Sequence, residues 1–131
     1  MYLKLVDCNK FYWDFIRNLR NDERVMEGFI KTNFITAEEQ EIYMSTNSKF
    51  YRVCLFEGKP VGYVGVIEND IRICTSPDFQ GMGIAKFMLK EILKSYPNAF
   101  AKIKIDNLKS LKLFKSLGFK VKYQIMERWF Q

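Results

Sequence analysis

The chain has 131 residues, and its hydrophobic content of 48% predicts one globular domain with a proper core rather than a disordered chain. It contains no histidine, which excludes Ser-His and Cys-His nucleophile pairs and the usual zinc sites. The net charge is +6 with the lysines spread along the chain, which favours solvated surface charge or a polyanionic cofactor over a nucleic-acid interface. No apolar run is long enough to span a bilayer, and the three cysteines form no C-x-x-C pair, so we expect a reduced, cytoplasmic protein that binds neither membrane nor metal.

The first fifty residues predict one strand and two helices. Residues 1–7 alternate like a strand and do not resemble a signal peptide. Residues 10–19 predict a helix because apolar residues recur there at helical spacing: Phe11, Phe15 (or Ile16) and Leu19. Thr36-Ala37-Glu38-Glu39 is a capping box, which predicts a helix from residue 37 to about residue 46. Residues 25–34 are ambiguous, since Gly28 weakens any helix there.

Three strands are predicted next, over residues 50–56, 61–67 and 71–75. They are separated by turn sequences at residues 57–60 and 68–70, so we expect an antiparallel meander. This meander leads directly into a loop that contains two glycines.

That loop, Gln80-Gly81-Met82-Gly83-Ile84-Ala85, opens an amphipathic helix. Glycines one residue apart allow a tight turn without a Cβ in the way of a ligand. The first turn of a helix offers unpaired N–H groups and partial positive charge, and residues 79–90 contain no acidic side chain. A strand, a glycine loop and a helix N-terminus are together suited to holding a phosphate.

The two best-known phosphate loops are absent. There is no G-x-x-x-x-G-K-[ST] sequence, and Lys86 replaces the third glycine of G-x-G-x-x-G. The loop does fit the pattern [QR]-x-x-G-x-[GA], at Gln80, Gly83 and Ala85. A turn that starts a helix and binds no ligand is the alternative interpretation.

The remaining elements complete one α+β domain over residues 1–131. The helix after the loop has an ordinary core stripe and ends before Pro97; its stripe comprises Ile84, Phe87, Met88, Ile92 and Leu93. A strand is expected over residues 100–105, and a helix over residues 108–117 between Asn107 as its N-cap and Gly118 as its stop. Residues 121–130 predict a final strand, or two strands with a bend.

Three segments resemble the GNAT superfamily of acyl-CoA N-acyltransferases. The glycine loop is similar to the pyrophosphate loop of that family. Residues 107–119 are similar to its C-terminal pattern N-x-x-[AS]-x-x-[LF]-[YF]-x-x-x-G-F, and Ser76-Pro77-Asp78-Phe79 is similar to its V-x-P-x-[YF] turn, with Thr75 in place of valine. The resemblance is specific over residues 50–119 and weak over the first fifty.

The resemblance implies a central mixed, mostly antiparallel sheet with helices on both faces. It also implies a V-shaped splay between strands four and five (residues 71–75 and 100–105), in which the pantetheine arm of acetyl-CoA lies. The implied cofactor-binding groups are main-chain groups of the fourth strand, N–H groups of the loop, and side chains of the last helix: Ile73, Cys74 and Thr75; Gln80, Gly81, Met82, Gly83, Ile84, Ala85 and Lys86; Asn107, Ser110 and Phe114.

The implied chemistry is direct transfer of an acetyl group to an amine, with a backbone N–H near Cys74 or Thr75 stabilising the oxyanion. Many relatives place a tyrosine acid where this chain has Phe114, so Ser110 and Tyr123 are the candidate acids, unless the thiolate leaves into water without help. Glu68 and Asp70 are the candidate bases, and for each a turn residue in water is the alternative.

Residues 18–25 and 35–40 bear on the substrate. Their sequences are similar to the corresponding segments of GNAT enzymes that acetylate nucleotide-linked amino sugars or ribosomal protein N-termini. In that layout Arg20 and Asn21 are substrate candidates, and Arg20 is suited to a bidentate phosphate contact; a solvated arginine at a helix end is the alternative. We therefore predict an acetyl-CoA-dependent N-acetyltransferase that acts on a primary amine of a small metabolite, first a nucleotide-linked amino sugar. The alternatives are a non-catalytic acyl-CoA-binding module and a protein N-terminal or lysine acetyltransferase, and the chain is expected to be a monomer or homodimer.

Overall fold

The computed structural model describes residues 2–30 and 33–129. The α+β class is confirmed, with four strands and five α-helices in the described residues. In chain order these elements are β1 (Leu3–Asp7), α1 (Trp13–Arg20), α2 (Glu23–Met26), α3 (Ala37–Asn47), β2 (Tyr51–Phe56), β3 (Lys59–Ile67), β4 (Asp70–Thr75), α4 (Ile84–Ser95) and α5 (Leu108–Ser116).

The strands form one antiparallel sheet in the order β1-β2-β3-β4, which confirms the predicted meander. Two tight turns connect β2 to β3 and β3 to β4, and both use left-handed backbone at Glu57, Gly58, Glu68 and Asn69. The register places Val53 beside Tyr63 and Tyr63 beside Cys74, while Tyr51 lies beside Gly65 and Gly65 beside Arg72. Because side chains alternate along a strand, these two cross-strand rows lie on the same face of the sheet.

Helices cover both faces of the sheet, as predicted. One face packs against α4 and α5 around Val64, Met88, Leu89 and Phe114. The other face packs against α1 and α3 through residues that include Ile16, Met44, Tyr51 and Tyr63. Burial of both faces fixes the register, since a slip by one residue would exchange the two sets of side chains.

The N-terminal helices differ from the prediction in their bounds. Residues 10–12 form a 3-10 turn that begins at Asn9, whose side chain accepts a hydrogen bond from the N–H of Phe11, and the α-helix begins only at Trp13. Phe11 is 83% exposed and the buried residues of α1 are Ile16 and Leu19, so the predicted placement of Phe11 on one helical face with Leu19 is wrong. The capping box of α3 is confirmed by both of its hydrogen bonds.

Two predicted strands do not form. Within residues 100–105 only Phe100 makes a bridge, in parallel to Asp70, and residues 121–129 contain no strand; Phe130 lies outside the described residues. A strand exists only where a neighbour completes its hydrogen-bonded ladder. Residues 101–105 diverge from β4 on one side, and the exposed residues 121–129 leave their apolar side chains in solvent, so neither segment has such a neighbour.

Within residues 2–30 and 33–129, no helix is both long and apolar enough to cross a membrane.

Candidate functional site

A cleft of about 1250 Å³ opens where residues 101–107 part from β4. The two segments are joined at one end, because the N–H of Ile71 donates to the Phe100 carbonyl at 2.9 Å. Beyond that bond both segments line the cleft, together with the glycine loop, α5 and the end of α1. The predicted splay between residues 71–75 and the following segment is therefore present, although its second wall is not a regular strand.

The glycine loop has the geometry of an anion site. Gly81 and Gly83 both adopt left-handed backbone, with φ of 81° and 79°, and open space lies where a Cβ would stand at each. Gly83 is the N-cap of α4 and provides no side-chain cap, and no acidic residue lies in the first helical turn. Unpaired N–H groups at the start of α4 therefore point toward space that a phosphate can enter. Met82 is the one predicted loop residue that does not line the cleft.

Main-chain groups of β4 form the cleft edge of the sheet. The N–H of Ser76 bonds to the Val61 carbonyl, and Cys74 pairs with Tyr63, so these residues direct their main-chain groups toward β3. The N–H of Ile71 points the other way, to Phe100. Because main-chain groups alternate between the two edges of a strand, Ile73 and Thr75 present theirs to the cleft.

The residues present fit an acyl-CoA. The Thr75 hydroxyl is buried without a hydrogen-bond partner among the described residues, and an orphaned polar atom of this kind needs a partner from a ligand or water. It lies on the cleft wall between the open edge of β4 and the uncapped loop. A pantetheine amide beside β4 and a diphosphate at the loop match these two donor sets.

Cys74 also lines the cleft, but its thiol is unreactive. Burial raises the pKa of the Cys74 thiol to about 12, while the nearby Arg20 lowers it in part. The side chain therefore remains a neutral thiol at physiological pH and is a poor nucleophile.

The last helix supplies the opposite wall. The Asn107 side chain accepts a hydrogen bond from the N–H of Ser110 at 3.2 Å, so Asn107 caps α5 as predicted. Ser110 is half-buried and lines the cleft. Phe114 also lines the cleft, is 4% exposed and packs edge-on against Phe119 with ring centroids 5.0 Å apart.

The four catalytic candidates are not brought together. Asp70 and Ser110 line the cleft, whereas Glu68 occupies the β3–β4 turn and Tyr123 is 81% exposed beyond α5. The Asp70 carboxylate is buried and lies 3.4 Å from Arg72 and 3.6 Å from Lys102. It forms an ion-pair cluster with these two cations at the joined end of the cleft.

Of the two substrate candidates, only Arg20 lines the cleft. Asn21 has a structural role instead, because its side chain exchanges two 2.8 Å hydrogen bonds with the main chain of Ile35. These bonds fix the segment that leads into α3.

Three residues that line the cleft on the sheet face toward α1 and α3 were missed: Tyr51, Tyr63 and Arg72. Each lies on the same face of the sheet as Cys74. The alternation of the three predicted strands placed these side chains on one face, but only the relative register of the strands brings them together.

Comparison with known proteins agrees with this geometry. The model of the acetyltransferase (GNAT) family matches residues 13–119. No curated protein matches the sequence significantly.

Among solved structures, the fold is similar to a domain from Methanocaldococcus jannaschii (21% identity, TM-score 0.83), with 96% of this chain and 93% of that chain covered. It is also similar to spermidine N-acetyltransferase from Vibrio cholerae in complex with CoA and spermine (21% identity, TM-score 0.82), with 98% of this chain and 86% of that chain covered. A third similar structure is a phosphinothricin acetyltransferase from Sinorhizobium meliloti in complex with AcCoA (23% identity, TM-score 0.79), with 94% of this chain and 77% of that chain covered. Since the family model spans most of the sequence, the chain belongs to the GNAT family of acetyl-CoA-dependent N-acetyltransferases.

Proposed function

We propose that this chain transfers an acetyl group from acetyl-CoA directly to a primary amine of a small anionic metabolite, with a nucleotide-linked amino sugar as the first candidate. The observation that carries this proposal is the cleft that joins the uncapped glycine loop, the open edge of β4 and Arg20 at the end of α1. The loop suits the diphosphate of acetyl-CoA, the edge of β4 suits its pantetheine arm, and the arginine suits an anionic group of the acceptor.

Acetyl-CoA supplies an acetyl thioester, and the residues of the chain position it. N–H groups from Gln80 to Lys86 hold the diphosphate, and main-chain groups of Ile73 and Thr75 pair with the pantetheine arm. The N–H of Thr75, rather than that of Cys74, faces the cleft and stabilises the oxyanion as the amine attacks. Holding the amine and thioester carbonyl in line supplies a large part of the acceleration.

The proton steps have fewer candidates in the structure than in the sequence. Ser110 is the candidate acid on the cleft wall, since Phe114 has no proton to donate. Asp70 is the candidate base within the cleft, where its carboxylate lies 3.4 Å from Arg72 and 3.6 Å from Lys102.

The charges of the cleft bear on the acceptor. Its basic side chains outnumber its acidic ones; they are Arg20, Arg24, Arg72, Lys86, Lys102, Lys104 and Lys109 against Glu27, Asp70 and Asp106. A polyamine such as the spermine bound by one structural neighbour is repelled by such a lining, whereas a phosphate-bearing amine is attracted. This supports the sugar nucleotide over a polyamine.

A non-catalytic acyl-CoA-binding module is the second candidate. Phe114 is buried and packed at the position of the usual acid, and Tyr123 lies outside the cleft. This candidate predicts CoA binding without acetylation of any amine.

A thermal-shift titration with acetyl-CoA tests the site. A ligand that binds only the folded state, at a hundredfold over its Kd, stabilises by about 2.7 kcal/mol, so we expect a clear rise in Tm. CoA release in the presence of amino-sugar nucleotides then separates an enzyme from a binding module. An unchanged Tm at millimolar acetyl-CoA contradicts both candidates.

Ser110→Ala is expected to lower kcat at least tenfold, because it removes the cleft hydroxyl that protonates the leaving thiolate. Ser116→Ala is the matched control on the same helix; its hydroxyl donates to the Leu113 carbonyl at 2.6 Å and lies outside the cleft lining. Steady-state rates of both variants decide the role, and equal rates for Ser110→Ala and the unmodified protein exclude Ser110 as the acid.

A further inference from the structure

Two guanidinium groups lie at the acceptor end of the cleft, on the face of the sheet that packs against α1 and α3. Arg72 is on β4 in the cross-strand row that runs through Tyr51 and Gly65. Arg20 is the last residue of α1, and both arginines line the cleft. Burial raises the pKa of Tyr51, and the charges of both arginines lower it in part, so both lie near its hydroxyl, one on the helix and one on the sheet.

Arg20 is held in place without an acidic partner. Its guanidinium carbon lies 5.5 Å from the centroid of the Phe29 ring, and the side chain is half-buried. Among residues 2–30 and 33–129, no carboxylate forms an ion pair with it. A guanidinium that stacks on an aromatic ring keeps its planar edge free for a bidentate contact with an oxyanion.

Arg72 is only partly neutralised. Its Nε lies 3.4 Å from Asp70, and Asp70 also faces Lys102 at 3.6 Å, so one carboxylate is shared between two cations. The other acidic side chain near this end, Asp22, is bound to Arg24 at 2.7 Å. The ion pairs of Asp70 and Asp22 therefore leave Arg20 without a carboxylate partner among the described residues and Arg72 with a shared one.

The floor between the two arginines is aromatic and neutral. The Tyr51 hydroxyl lies 2.7 Å from that of Tyr43, and the Tyr51 ring lies 6.0 Å from that of Tyr63. Burial raises the pKa of both Tyr51 and Tyr63 far above the ordinary value, so neither hydroxyl contributes a negative charge that opposes an anion.

We infer that Arg20 and Arg72 form an anion subsite for the acceptor, which binds a phosphate or carboxylate group of the substrate on the face of the sheet opposite α4. This inference rests on the proposed function and narrows its substrate class. The subsite selects acceptors that carry an oxyanion in addition to the amine, and it rejects polyamines by charge repulsion. Phosphate and carboxylate acceptors share the chemistry that recognises them.

The test is an isothermal titration of the CoA-saturated protein with inorganic pyrophosphate and, separately, with succinate. Saturating CoA occupies the glycine loop, so that loop no longer binds the added anion. Arg20→Gln and Arg72→Gln are each expected to weaken binding of the preferred anion at least tenfold, and Arg20→Lys by less, since it keeps the charge and loses the planar fork. Pyrophosphate binding assigns a phosphate acceptor, and succinate binding a carboxylate acceptor.

Arg52→Gln is the matched control. It removes the same charge from β2, where Arg52 bonds to Ser95 and does not line the cleft, so its anion affinity is expected to stay within twofold of the unmodified protein. Binding of neither anion, or equal affinities for Arg20→Gln, Arg72→Gln and Arg52→Gln, overturns the subsite. CoA affinity, measured in parallel, is expected to be unchanged in all variants. Failure of CoA to bind the unmodified protein contradicts the proposed function instead, and the same titrations on the CoA-free protein then still decide the subsite.

Discussion

Gly83→Glu is expected to weaken CoA binding at least a hundredfold, which corresponds to about 2.7 kcal/mol. The new carboxylate stands at the N-cap of α4, in the open space where the structure leaves N–H groups for a diphosphate. Repulsion between the carboxylate and the phosphates adds to the loss of space. Isothermal titration with CoA measures the change.

Two control variants separate charge from backbone strain. Gly83 has a φ of 79°, and a residue with a Cβ in left-handed backbone costs roughly 1–2 kcal/mol whatever its charge. Gly83→Ala reports that strain alone. Gly118→Glu places the same charge at another left-handed glycine with open space around it, after α5 and outside the cleft lining.

The expected order of CoA affinity is Gly118→Glu near the unmodified protein, Gly83→Ala lower, and Gly83→Glu lowest. Added salt is expected to narrow the gap between the two Gly83 variants, because it screens the repulsion of exposed charges. Equal CoA affinity for Gly83→Glu and Gly118→Glu would falsify the assignment of the loop as the phosphate site.

Local sequence predicted the parts of this fold that local chemistry determines. Thr36 and Glu39 form the capping box, Asn107 caps α5, and Gly118 ends it in left-handed backbone with φ of 91°. Each depends on residues within a few positions of one another, and the glycine loop has the same character. The cofactor half of the candidate site was therefore accessible from the sequence.

The two predicted strands that do not form lack a neighbouring strand to pair with, which the sequence pattern of a segment does not report. Residues 121–125 alternate apolar and polar side chains, yet such a segment forms a strand only when the edge of a sheet is available to pair with it. The helix prediction was wrong at Phe11 for a local reason. The Asn9 side chain accepts a hydrogen bond from the N–H of Phe11 and caps a 3-10 turn over residues 10–12. Helical spacing does not anticipate a competing cap of this kind.

The acceptor half of the site was less accessible because it is assembled by register. Arg20 was visible as a motif residue, but Arg72 and Tyr51 are distant from it in sequence and meet it only across β2, β3 and β4. A shift of one residue in any of these strands turns Tyr51 or Arg72 to the opposite face. The substrate end is thus a consequence of pairing, and one glycine on β3 is central to it.

That glycine is Gly65, and Gly65→Ala is expected to destabilise the protein by about 1–3 kcal/mol through overpacking. A Cβ at this position meets the Tyr51 ring at 2.5 Å, closer than real Cβ contacts allow. The ring has little freedom to move aside, since Tyr51 is 3% exposed and its hydroxyl is held by Tyr43. Urea unfolding measures the loss.

Gly28→Ala provides a matched control, because the nearest atom to its added Cβ, the side-chain nitrogen of Asn107, is at an ordinary 3.4 Å. Tyr51→Leu tests the cause: if the ring is the obstacle, truncating it costs less stability in the Gly65→Ala protein than in the unmodified one. A double-mutant cycle then gives a coupling energy of about 1 kcal/mol or more, whereas additive effects of the two substitutions contradict the clash.

We expect Gly65→Ala to affect binding of the acceptor anion and not binding of CoA. The Tyr51 ring lies on the face that packs against α1 and α3, whereas the glycine loop leads into α4 on the other face. Gly65→Ala is therefore expected to lower affinity for the acceptor anion while CoA affinity, measured below the Tm of the variant, stays within twofold. Loss of both affinities together would mean that the two halves of the cleft are not independent, and that displacement of the ring is transmitted through β4 to the cofactor edge.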